Sequence, residues 1–141
     1  MNLDELYQEV ILDHGRKPRN HREMPEATHE AEGFNPMCGD RIKLFLRVED
    51  GRIEDAAFTG CGCAISQASA SMLTQAVKGQ SVAQAEDLFS RFHRAVTGKD
   101  APEGDLGCLE ALLGVQQFPN RIKCATLAWH AMREALEGPG A

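Results

Sequence analysis

The hydrophobic period of this chain changes at the run TGCGC, residues 59–63, from a strand's to a helix's. Upstream, Ile42, Leu44, Leu46 and Val48 alternate with Lys43, Phe45, Arg47 and Glu49, as in a strand with one face inward. Downstream, Ile65, Ala68, Met72 and Ala76, with Ser69 and Leu73, recur at helical spacing. One element cannot satisfy both periods. The run therefore marks a strand-to-helix junction, and it places Cys63 on that junction.

The remaining elements follow from local signals. Asp50-Gly51 after the alternating strand predicts a tight hairpin, because glycine accepts the positive φ of a type I′ turn. The return strand is RIEDAAFTG. Its apolar residues Ile53 and Phe58 have opposite parity, which calls for a bulge or for cover on both faces. HEAEGFNP reads as an edge strand. At the start, Leu3, Leu6, Tyr7, Val10 and Ile11 predict a helix capped by Asn2 and ended by Gly15 and Pro18. A polar loop follows to Thr28. A helix from Ser81 buries Val82, Ala85, Leu88, Phe89, Phe92 and Val96, with Gly98 as its C-cap. GKDAPEGDLG is an exposed loop, and CLEALLGV is a short helix. Pro119 and Asn120 precede a last helix with the stripe Ile122, Ala125, Trp129, Met132 and Leu136. Strands come early and helices late. The expected fold class is α+β, a small antiparallel sheet of about three strands packed against a cluster of helices. One domain over 1–141 is expected, with a frayed tail at about 137–141.

The formal net charge of −6 argues against broad contact with nucleic acid or an anionic membrane surface, both of which need basic surface. No apolar run reaches the roughly 20 residues of a membrane span. The amphipathic start, MNLDELYQEVILDHG, lacks a positive region ahead of an apolar core, so the expectation is a cytoplasmic protein.

Five cysteines, Cys38, Cys61, Cys63, Cys108 and Cys124, cannot all pair within the chain. Scattered thiols in a reducing compartment serve packing, metal binding or sulfur chemistry. Cys108, close to Leu109, Leu112 and Leu113, reads as packing. Cys38 lies in the loop NPMCGD, Cys63 at the period change, and Cys124 in the first turn of the last helix. Helix starts favour anions, so thiolates form more readily there. Cys38-Gly39-Asp40 adds a carboxylate. Cys38, Asp40, Cys63 and Cys124 make a plausible tetrahedral zinc set. Three thiolates could instead hold part of an iron–sulfur cluster. Cys61 competes for the place of Cys63. Arg41, Arg121 and Lys123 are the local cations available to offset the charge. His14, His21 and His29 read as solvent-exposed, and His93 and His130 as parts of packed helices.

These motifs together resemble the U-type iron–sulfur cluster assembly proteins, the IscU and NifU N-terminal-domain family. The resemblance runs from LYQEVILDHGRKPRN through NPMCGD and FTGCGCAISQASASM to FPNRIKCATLAW. It is nearest to the SufU branch. Lys123 stands where classical scaffolds carry histidine, QFPNRIK replaces their chaperone-binding motif, and TGKDAPEGDLGCLEALLG looks like the SufU insertion. The resemblance implies zinc bound by Cys38, Asp40, Cys63 and Cys124. It implies a sulfur acceptor that stimulates a cysteine desulfurase of SufS type, rather than a stand-alone enzyme. A desulfurase histidine would replace Cys38 on zinc and free that thiol to take sulfur. Downstream cluster-assembly or recipient proteins would then receive it. The alternatives are a scaffold holding iron or a transient [2Fe–2S] cluster on Cys38, Cys63 and Cys124, and a zinc-stabilised interaction protein without sulfur chemistry.

Overall fold

The computed structural model describes residues 3–36, 39–97, 109, 111–113 and 119–137; the side chains of 3–7 and 119–120 lie outside the description. The order of elements is α1 (Leu3–Arg16), β1 (His29–Asn35), β2 (Asp40–Glu49), β3 (Arg52–Cys61), α2 (Ala64–Val77), α3 (Val82–Val96) and α4 (Pro119–Glu137). The strands form one antiparallel sheet in the order β1-β2-β3. The fold is α+β, as the sequence implies.

The local signals map onto this frame. Asp50 (φ 53°) and Gly51 (φ 75°) form the two-residue turn between Glu49 and Arg52, which pair across it. The parity break in β3 is a bulge. Arg47 pairs with Asp55 but Val48 pairs with Ile53, so Glu54 has no opposite residue. The shift lets Ile53 and Phe58 both reach the same buried cluster. Ser81 caps α3: its hydroxyl accepts from Gln84 N–H, while the Gln84 side chain accepts from Ser81 N–H. Asn2 and Gly98, expected as caps, and the tail beyond Glu137 lie outside the described residues, as does the GKDAPEGDLG loop. Residues 111–113 form a short 3₁₀ turn where a helix is expected.

The main core lies between one face of the sheet and the helices. Ile42, Leu44, Leu46 and Phe58 meet Met72, Leu73, Phe92, Trp129 and Met132, all fully buried. Helix α2 runs through the middle, against α1, α4 and β3, and is buried on most of its circumference. Its Ala and Ser residues make that close approach possible. Ser69 ties α2 to α4: its hydroxyl donates to Ala125 O (2.5 Å) and accepts from Trp129 Nε1 (3.1 Å). Truncating a buried aromatic such as Trp129 to Ala costs about 3–5 kcal/mol in typical cores. The other face of the sheet is not simply solvated. Phe45, on the polar parity of β2, is buried with Met24 and Ala57 under the loop that follows α1.

One histidine departs from expectation. His14 is buried, with Nδ1 2.8 Å from Ser71 Oγ, an oxygen that also accepts Arg19 N–H at 2.8 Å. Burial first, then the Arg19 charge, holds its imidazole below the ordinary 6.5, against a smaller opposing pull from Asp13. The neutral ring is therefore the folded form. The unfolded chain takes up this proton near pH 6.5 and the folded chain only below that, so stability falls as pH drops below about 6.5. Urea unfolding between pH 7.5 and 5.5, followed at Trp129, should show this fall. In His14→Gln the slope should flatten; an unchanged slope would show that His14 does not carry it.

Candidate metal centre

Two chain reversals build the site. β2 opens at Asp40, immediately after Gly39, whose φ of 73° few side chains could adopt. β3 ends at Cys61, and α2 begins after Cys63, which occupies the N-cap position in extended conformation (φ −71°, ψ 166°). The Cys63 side chain makes no capping hydrogen bond, so its sulfur is left to the site rather than to the helix end. Its carbonyl is engaged instead, accepting from Gln67 N–H and Ser66 Oγ, both at 3.1 Å.

Asp40 joins the two reversals. Its fully buried carboxylate accepts the Cys63 amide proton at Oδ1 (2.8 Å), and Oδ2 lies 3.9 Å from Cys63 Sγ. Gly62 makes this approach possible. A Cβ at that position would press into Asp40 Oδ1 and stand 2.6 Å from Ser66 Oγ.

Cys124 completes the cluster from α4. Asp40, Cys63 and Cys124 offer ligand atoms that all lie within 4.8 Å of one another, and among the described residues no other group of three such side chains does so. Cys124 is fully buried and Cys63 half-buried. Cys124 sits in the second turn of α4, not the first. The helix starts at Pro119, a residue suited to the first helical position because its missing N–H is not needed there.

Arg121 faces this centre. Its guanidinium is held more firmly protonated by a hydrogen bond to Cys124, then by the electrostatic pull of Cys63 and of Cys124. Of the three expected cations it alone contacts the thiols among the described residues. Arg41 turns to Glu32 (3.7 Å) and over the Phe34 ring (5.0 Å), and Lys123 lines a groove with Phe34 and Leu127. Helical phase explains the choice. Arg121 is three residues before Cys124 and shares its face, whereas Lys123 is its neighbour and does not.

Cys38, the fourth expected ligand, lies outside the described residues, as does Cys108. Cys61 is exposed and not among the clustered donors. None of the histidines joins the cluster either.

The donor set fits zinc. Four ligands at about 2.3 Å put neighbouring sulfurs about 3.8 Å apart in a tetrahedron, so donors already within 4.8 Å need to move by less than about 1 Å. As thiolates, Cys63 and Cys124 together with the fully buried Asp40 carboxylate would carry three negative charges, more than one guanidinium offsets, and a divalent cation would meet the excess.

The chain matches the model of the family described as NifU-like N terminal domain over residues 6–138. It is 46% identical to the zinc-dependent sulfurtransferase SufU of Bacillus subtilis (strain 168), covering 96% of this chain and 92% of that protein. It is 43% identical to the iron-sulfur cluster assembly scaffold protein IscU of Streptococcus pyogenes serotype M1, covering 96% and 85%. Its fold matches a crystal structure from Fervidobacterium islandicum AW-1, described as an iron-sulfur cluster assembly scaffold protein for the SUF system. The TM-score is 0.86, with 29% identity, 96% of this chain and 100% of that chain.

Gly62→Ala tests the close approach on which the cluster depends. The added methyl should push Asp40 off Cys63 and lower zinc affinity by about 10–100-fold, the usual range for a disturbed ligand support. Competition with a chromophoric chelator measures it. Unchanged affinity would show that the Asp40–Cys63 contact is not needed for metal.

Proposed function

The chain belongs to the NifU-like N-terminal-domain family, and from that premise we propose that it is a zinc-binding sulfur acceptor in iron–sulfur cluster assembly. The observation that carries this reading is the convergence of Asp40, Cys63 and Cys124 on one point, from three separate parts of the chain. High similarity to a zinc-dependent sulfurtransferase over nearly the full length supports it.

In this reading Asp40, Cys63 and Cys124 hold zinc together with Cys38, two residues before Asp40. When bound, zinc keeps its cysteine ligands deprotonated and supplies positive charge to the buried carboxylate. Cys38 is the sulfur acceptor. The partner is a cysteine desulfurase of SufS type carrying a persulfide on its own cysteine. The Cys38 thiolate attacks the outer sulfur of that persulfide. A new S–S bond forms, the old one breaks, and the enzyme's cysteine leaves as a thiolate. No outside oxidant is required. The sulfur then passes to downstream assembly or recipient proteins. Asp40 holds the start of β2 against the start of α2, and Arg121 offsets charge on Cys63 and Cys124. By removing sulfur from the enzyme, the acceptor would raise desulfurase turnover.

A second reading has the same donors holding iron or a transient [2Fe–2S] cluster, as the name of the Streptococcus relative suggests. Metal content separates the two. The purified protein should carry about one equivalent of zinc, lost in D40A, C63S and C124S. Incubation with the cognate desulfurase and cysteine should add one sulfur atom, located at Cys38 by peptide mass spectrometry and absent in C38S, and should speed turnover. Iron with visible charge-transfer absorption in place of zinc would favour the scaffold reading. Full zinc in all three variants, or no persulfide and no stimulation, would reject the proposal.

A further inference from the structure

Away from the metal centre, α3 and α4 enclose a cleft of about 450 Å³ lined by Phe89, Ser90, His93, Arg94, His130 and Arg133. The lining is basic, although the whole chain carries −6. Phe89 organises it. The ring is buried and stacks on Trp129 at 6.3 Å, with 17° between planes. His93 and His130 stand edge-on to it at 5.7 and 5.3 Å, and the Arg133 guanidinium lies over it at 5.9 Å. The two imidazoles are 5.5 Å apart, centre to centre. An aromatic floor thus gathers two imidazoles and a guanidinium around one space, which Ser90 also lines.

We propose that this cleft between α3 and α4 is a binding site for a small oxyanion of the phosphate or carboxylate type. Guanidiniums and imidazoles that can protonate around a common space are what such a ligand requires, and the guanidinium fork suits its oxygens. Without a ligand the arrangement works against itself. Burial first, then the charges of His93 and Arg133, hold the His130 imidazole below its usual range. Glu137 pairs with Arg133 from outside (3.1 Å) and keeps its guanidinium over Phe89. His93 and Arg94 line the cleft from α3, and His130 and Arg133 from α4; among the described residues, Glu137 pairs with Arg133 at the rim. An oxyanion would relieve the repulsion and stabilise both imidazoliums, so its affinity should rise as pH falls. His130 also lines the neighbouring groove of about 290 Å³ that holds Phe34 and Lys123.

The test uses the zinc-loaded protein and NMR of the histidine Cε1–H signals. Inorganic phosphate and malonate are titrated separately at pH 6.0 and 7.5, against chloride at matched ionic strength. Saturable shifts confined to His93 and His130, stronger at pH 6.0, with raised imidazole pKa values, are expected for at least one anion. Which anion acts assigns the ligand as phosphate-like or carboxylate-like. Arg133→Gln, at an exposed position, should weaken binding about tenfold, as loss of a charge-assisted hydrogen bond does, and leave zinc content unchanged. Shifts no larger than those in chloride, or an Arg133→Gln protein that binds equally well, would overturn the site. The readout is independent of sulfur transfer, so the two proposals can fail separately.

Discussion

The hydrogen bond from the Cys63 amide to Asp40 Oδ1, 2.8 Å long, holds the candidate metal centre in shape. It links the first residue of β2 to the N-cap of α2. Both partners stand at the ends of their elements: Asp40 is the first residue of β2, opposite Asn35 of β1, and Cys63 is the residue before α2. The bond forms in a place from which Asp40 is wholly withdrawn from water. A buried carboxylate in such a setting is costly unless its charge is met. The amide meets part of it, and the geometry leaves the rest, together with two thiols, directed at one point. The sheet and the Ser69–Ala125–Trp129 contacts serve this arrangement by holding β2, α2 and α4 in fixed relation.

Much of the frame was legible because its signals are local. Asp50-Gly51 specifies a turn by backbone sterics alone, and Ser81 with Gln84 specifies a helix start by mutual hydrogen bonding. The parity conflict between Ile53 and Phe58 was a readable sign of the bulge at Glu54. The period change at Cys63 was a readable sign of its junction. What stayed hidden depends on partners far along the chain. Nothing near His14 announces burial, since its partner Ser71 is 57 residues away. Phe45 sits on the polar parity of β2, and its cover comes from Met24 in a segment whose composition is that of a loop.

The site divides the same way. That Asp40 stands at a strand start and Cys63 at a strand-to-helix junction was readable from the pattern. Cys61 stayed open as a rival until the fold left it exposed at the strand end, outside the cluster. The role of Gly62 was invisible, because a glycine between two cysteines does not reveal that a carboxylate will arrive against it. The choice of Arg121 over Lys123 could have been made from helical phase, once the start of α4 was placed at Pro119 rather than after Asn120.

In the proposed centre, sulfur and one carboxylate oxygen would surround a single zinc ion. Zinc K-edge X-ray absorption of the purified protein tests it most directly. A four-coordinate shell dominated by sulfur at about 2.3 Å, with one oxygen at about 2.0 Å, is expected. A shell of nitrogen and oxygen only, without sulfur scattering, would contradict it.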